Sequence, residues 1–194
     1  MSVRTVLLVL VAGLCLIIAA AAGSRITLGK GRSRLERNKA VVRRMHAAVW
    51  SEANREKAVA AVRQLYTPDF IVHDWTGDHR PGIDGLIQNW ESERASFVGL
   101  TEHAQAIVAE GDLVVDRFFS TGTQARDLGP IPHHSPGIPN RGRTLNMSEM
   151  EIFRLVDGKL AEQWLLNDIW GAHAQLGLFD PDHWRESICG ALPK

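Results

Sequence analysis

Two tight turns late in the chain limit the fold more than any other feature. Thr144 to Leu155 and Leu160 to Asn167 flank Asp157-Gly158, and Thr101 to Ala109 and Leu113 to Thr123 flank Glu110-Gly111-Asp112. Asp-Gly between two strand-like runs is a strong hairpin signal, and a short Gly-containing turn is another. The earlier third reads differently. Ser33-Arg34-Leu35-Glu36 has the form of a capping box, and Val41, Val42, Met45, Ala48 and Val49 follow at helical spacing. After a break at Ser51 to Asn54, with Asn54 a good N-cap, a second helix carries Val59, Val62, Leu65 and Tyr66. Thr67-Pro68-Asp69 is expected to end it, and Phe70 to Trp75 reads as a short strand. Gly77 to Gly82 is a turn region, and Ile83, Leu86, Ile87, Trp90 and Phe97 mark a third amphipathic helix.

Helices first and antiparallel strands later give an α+β chain, not an alternating α/β one. The expected architecture is a cone: a curved antiparallel sheet packed on about three helices. Such a cone has one open end, and concavities of that kind hold ligands. Residues 129–142 form a Pro/Gly loop, Ile169 to Leu178 returns to helical character, and the tail from 179 reads as irregular.

Charge divides the chain before the fold begins. Val6 to Ala22 is an uninterrupted apolar or small stretch ending in Ala19-Ala20-Ala21-Ala22-Gly23-Ser24. A cleaved signal peptide and an uncleaved membrane anchor both fit it. Residues 24–44 carry eight basic groups against one acid, which as an anchor would point the body to the cytoplasm and against anionic headgroups. Residues 45–194 carry 13 basic and 21 acidic groups, so nucleic acid is not the expected partner of the body. The expected layout is a signal or anchor with its basic neck over 1–32, a cone domain over 33–180 and a tail over 181–194. The two cysteines, Cys15 and Cys189, make neither a disulfide framework nor a Cys-based zinc site. P-loop, dinucleotide-binding, G-x-S-x-G and H-E-x-x-H signatures are absent.

The order of elements and the run Phe153-Arg154-Leu155-Val156-Asp157-Gly158-Lys159-Leu160-Ala161-Glu162-Gln163-Trp164, followed by Asp168 and Gln175-Leu176-Gly177, resemble the SnoaL-like polyketide cyclases (ester cyclases) of the nuclear transport factor two-like superfamily. The resemblance covers about residues 38–178. It implies an intramolecular aldol-type ring closure without metal or cofactor, and a homodimer. It also implies that Asp168 matches the family's acid/base aspartate. The expected partner is a hydrophobic small molecule, with a membrane tether through the N-terminus.

The residues themselves leave alternatives. Asp168 fits a catalytic carboxylate beside Trp164, or an N-cap for the helix opening at Ile169. His73, alternating with Ile71 and Trp75, fits a donor to a substrate carbonyl or a hydrogen-bonded rim histidine. Trp75, Trp90 and Trp164 are expected to wall the cavity. Met147, Glu149, Glu151 and Phe153 share one strand face, so Glu149, like Glu151, fits a partner for Arg117, a second carboxylate or a solvent-exposed rung. His133-His134 reads as a lid or a plain loop, and no metal site is expected. Two other readings stay open: a non-catalytic hydrophobic-ligand or interaction module, and a dehydratase or epoxide hydrolase on the same fold.

Overall fold

The computed structural model describes residues 33–74, 76–130 and 137–178. The apolar segment, Trp75, His133-His134 and the tail lie outside the described residues. The chain divides into units Met1–Arg37 and Asn38–Lys194, and the sheet and the cavity lie within the second.

Helix α1 runs over residues 33–45 and ends in a single π-helical turn, His46–Trp50. α2 covers Arg55–Leu65, and Asn54 caps it as expected, accepting a hydrogen bond from Lys57 N at 3.0 Å. Strands β1 (Tyr66–Asp74) and β2 (Gly77–His79) precede α3 (Gly82–Ser96). Then come β3 (Phe97–Glu110), β4 (Leu113–Gln124), β5 (Thr144–Val156), β6 (Lys159–Asn167) and α4 (Ile169–Leu176). Asp157 and Gly158 both take positive φ, 50° and 76°, as a two-residue hairpin turn requires.

One six-stranded sheet in the order β2-β1-β6-β5-β4-β3 curves without closing. The expected hairpins β3–β4 and β5–β6 pair antiparallel, and β4–β5 does likewise. The sheet is not wholly antiparallel, however, because β1 runs parallel to β6. β1 also begins earlier than expected, passing straight through Thr67-Pro68-Asp69. Its register shifts between Tyr66 and Ile71, and Pro68 falls in that interval, where no ladder hydrogen bond is asked of it.

Helices α1 to α3 fill the concave face. Val42, Met45 and Val49 meet Val62, Leu65 and Phe70, and these meet Leu86, Trp90, Val114, Phe153 and Leu160 from α3 and the strands. Phe70, Val114, Phe153 and Leu160 are completely buried, each contributing about 1.5–3 kcal/mol. A smaller cluster of Ile138, Leu145, Ala172 and Leu176 fixes α4 against the start of β5. Outside these clusters the chain also buries His46, Asp116, Ser120, Glu149 and Glu151.

Candidate functional site

Strand alternation brings the polar groups together. On β4 the inward residues are Val114, Asp116, Phe118 and Ser120, and on β5 they are Leu145, Glu149, Glu151 and Phe153. The register sets Asp116 opposite Glu151, and Glu149 opposite Asn167 of β6. A cavity of about 750 Å³ opens over them. Its walls include the carboxyls of Glu93, Glu102, Glu149 and Glu151, the amides of Gln163 and Asn167, and apolar Trp50, Leu86, Leu100, Met147 and Leu165. His79 and Arg80, from the β2 segment, also belong to its lining.

Beneath the cavity lies a buried ionic triad. His46 Nδ1 meets Glu102 Oε2 at 2.5 Å, while its Nε2 meets Asp116 Oδ2. Burial opposes a charge on this imidazole, but hydrogen bonds to Asp116 and Glu102 outweigh it and raise His46 from 6.5 to about 9. The ring is therefore an imidazolium between Glu102 and Asp116, and burial pushes the Glu102 carboxyl up against the downward pull of His46. It also packs on Phe118, with centroids 4.8 Å apart. His46 opens the π-helical turn, a local irregularity often found at functional sites. Arg94 holds the other end of that turn, donating to the carbonyls of Trp50 and, at 2.6 Å, Leu100. Ser51 fixes the backbone of Glu102, accepting from its N–H at 2.9 Å.

Glu149 lines the cavity itself. The Ser120 hydroxyl donates to its Oε1. Burial, then the charges of Glu102 and Glu93, raise its carboxyl from 4.5 to about 8, against the opposing pulls of the Ser120 bond and His46. Glu93, at the cavity wall, is raised to about 7, chiefly by burial. Glu151 is pushed well above the usual carboxylate range by burial, then by Asp116, Glu102 and Glu149. Carboxyls held protonated near neutral pH are suited to passing protons to and from a bound molecule. Among the described residues, no three His, Cys, Asp or Glu side chains are grouped so as to hold a metal ion.

A family model for the SnoaL-like polyketide cyclases matches residues 40–176. The chain belongs to that family.

Solved structures agree on the fold of this SnoaL-like protein. A structure described as a candidate SnoaL-like polyketide cyclase from Jannaschia sp. CCS1 is 22% identical at a TM-score of 0.61, covering 73% of this chain and 92% of its own. IdmH from Streptomyces antibioticus, described as a candidate polyketide cyclase, is 27% identical at 0.55, covering 72% of this chain and 98% of its own. A candidate polyketide cyclase from Acidithiobacillus ferrooxidans is 25% identical at 0.57, covering 72% and 94%. No curated protein matches the chain.

Of the residues singled out from sequence, the structure places Glu149, with Glu151 of the same strand face, in the cavity, and Asp168, His73, Trp90, Trp164 and Arg117 elsewhere. Asp168 is exposed and caps α4, its Oδ1 accepting from Gly171 N at 2.8 Å. It does share parity with Trp164, but that parity faces away from the cavity, since Gln163, Leu165 and Asn167 are the β6 residues that line it. On this outer face Trp164 has two partners of its own. His73 stacks on it at 5.2 Å and 12°, and the Arg154 guanidinium sits 5.6 Å from its centroid. His73 contacts Asp78 at 2.7 Å and Glu162 at 2.9 Å, and those bonds raise its pKa. Trp90 is core, its indole N–H donating to Val49 O at 2.9 Å. Arg117 is exposed and donates to Gln105 at 2.5 Å, so it does not pair with Glu149, and no arginine–carboxylate set of that kind forms.

His46, Glu102 and Asp116 are the residues that the sequence reading passed over. The signal was present in two of them. His46 lies four residues after Val42 and three before Val49, on the apolar stripe of its helix. Asp116 interrupts an otherwise apolar alternation between Val114 and Phe118. A charged side chain at an interior position is the informative exception.

Proposed function

We propose that this protein catalyses proton transfer at a carbon next to a carbonyl of a hydrophobic small molecule, leading to ring closure or its reverse, with Glu149 as acid and base. One observation carries the reading: Glu149 lines a cavity of about 750 Å³, held by the Ser120 hydroxyl and raised to about 8. The family and its cyclase relatives support the same chemistry.

Ionised Glu149 takes the proton from carbon, and the electron pair left behind forms an enolate. The enolate carbon adds to a second carbonyl of the same molecule, and protonated Glu149 returns its proton to the new alkoxide. A base whose pKa lies near the working pH combines adequate strength with adequate population. The His46 imidazolium binds Glu102 and Asp116 and so limits the negative field that Glu149 meets on ionising. The apolar wall residues Trp50, Leu86, Leu100, Met147 and Leu165 orient the chain of the substrate. Asp168, which the resemblance pointed to, acts in this reading as a helix cap only.

The test is deuterium incorporation from heavy water into a panel of β-keto esters and other activated carbonyl compounds, followed by NMR on the full-length protein. Wild type and Asp168→Asn should exchange alike, and Glu149→Gln should not exchange above buffer. Loss of exchange in Asp168→Asn with retention in Glu149→Gln would reverse the assignment.

A further inference from the structure

Glu151 is the second carboxyl of the cavity, and its hydrogen bonding is incomplete. Its side chain is buried, with the residue 7% exposed, and it contributes to the cavity wall. Oε1 accepts from Gln163 Nε2 at 2.6 Å. Oε2 is buried and meets no partner among the described residues. A buried polar atom left unpaired is costly and calls for an explanation, and in a residue that lines a cavity a bound ligand supplies one.

The surroundings decide whether Oε2 offers a lone pair or a proton. Asp116 faces Glu151 from β4, Glu102 approaches from β3, and Glu149 stands two residues away on the same face of β5. Gln163 comes from β6. The imidazolium of His46 is already engaged by Glu102 and Asp116. A negative charge on Glu151 is opposed first by burial, then by Asp116 and Glu102 and, once it ionises, by Glu149, which pushes the carboxyl well above its usual range and makes Glu151 the neutral acid of the pair. Because Oε1 is the acceptor for Gln163, the proton resides on Oε2. Two neighbouring carboxyls whose environments differ in this way take different roles: one exchanges a proton with carbon while the other keeps its own.

We propose that Glu151, through its Oε2–H, binds the substrate carbonyl oxygen and stabilises the enolate oxygen formed when Glu149 removes the neighbouring proton. This role rests on the proton-transfer reading. In the step, Glu149 gains the proton, the C–H electron pair becomes a C=C bond, and the carbonyl π pair moves to oxygen. Glu151 keeps its proton throughout and shares it with that oxygen in a hydrogen bond. The substrate class is narrowed accordingly to compounds whose enolisable carbonyl reaches Glu151 while its α-carbon reaches Glu149.

Three variants test it in the full-length protein: Glu151→Leu, which removes the donor, Glu151→Gln, whose amide still donates, and Glu149→Gln. Two readouts are needed, the exchange rate and the binding of 2-naphtholate, a planar aromatic oxyanion resembling an enolate. Thermal unfolding first establishes that each variant folds. The expected result is a fall of about 10²–10³ in kcat for exchange in Glu151→Leu, with KM little changed, and retention of most activity in Glu151→Gln. Naphtholate binding should weaken at least about tenfold in Glu151→Leu, the effect of losing one hydrogen bond to a charged group, and should persist in Glu149→Gln. Exchange and naphtholate binding both unchanged in Glu151→Leu would overturn the proposal while leaving Glu149 as the base. Wild type without exchange would overturn the proton-transfer reading and with it the enolate role, and naphtholate binding would then show separately whether Glu151 is an oxyanion donor.

Discussion

Replacing Glu149 with Gln should change how stability depends on pH. The carboxyl is raised from 4.5 to about 8 by burial and by Glu102 and Glu93, opposed by Ser120 and His46. Between those two pH values the unfolded chain has lost this proton and the folded one has kept it. The folded state then binds more protons, so stability falls as pH rises. The slope from this group is about 1.4 kcal/mol per pH unit, and the whole loss reaches about 5 kcal/mol by pH 8. It is constant above that. Gln has nearly the same shape, still accepts from Ser120, and does not titrate. The variant should therefore match wild type near pH 4.5 and exceed it by several kcal/mol at pH 8. Urea titrations of both proteins from pH 4.5 to 9, with m values compared, measure the difference. The subtraction removes the contribution common to both from His46. That contribution is also lost with rising pH, being full below 6.5 and gone above about 9. A difference that stays constant across the range would refute proton retention by Glu149 and remove the basis for its acid/base role.

Other outcomes follow from the same geometry. The exchange rate, kcat/KM, should rise with pH and level off above about 8, because Glu149 must be ionised to act as base; a profile flat from pH 6 to 9 would count against it. His46→Gln should shift that rise to higher pH, since the imidazolium lowers the pKa of Glu149. It should also cost about 3–5 kcal/mol in urea unfolding, since Asp116, fully buried, loses its partner. Asp168→Ala should cost about 1 kcal/mol through loss of the α4 cap and leave exchange unchanged. Gly122→Ala should destabilise by about 1–3 kcal/mol, since a Cβ there would lie 3.0 Å from Phe97 Cβ and 3.3 Å from the Leu100 backbone.

The hairpins were legible because their turns demand particular residues. Asp157-Gly158 supplies two positive-φ positions, and alternation on each side fixes which residues share a face. Asn54 was legible as a cap for an equally local reason, its side chain reaching an N–H three residues on. The parallel pairing of β1 with β6 was not. It joins Ile71 to Glu162 across nearly half of the chain, and no local signal records a partner so distant. Pro68 argued for a helix end followed by a break; the helix does end at Leu65, but the strand starts at once and the register shift in β1 absorbs the proline.

The site was half legible for a related reason. Period-two alternation shows that Glu149 and Glu151 share a face with Phe153, but it does not say which face of a curved sheet is concave. Indole size suggested that the Trp164 face was the inner one. On the outer face, however, an indole finds partners of its own, and His73 and Arg154 cover Trp164 on that side. The concave face carries instead groups that are costly to bury: Asp116, Glu149 and Glu151 together, with one imidazolium among them. Hydrophobic pattern alone would reject that face as a core. Such an arrangement lowers stability at neutral pH, as the Glu149 linkage shows, and contact packing gains nothing from it. Where an interior departs this far from the apolar pattern that folds the rest of the domain, the departure itself marks the chemistry.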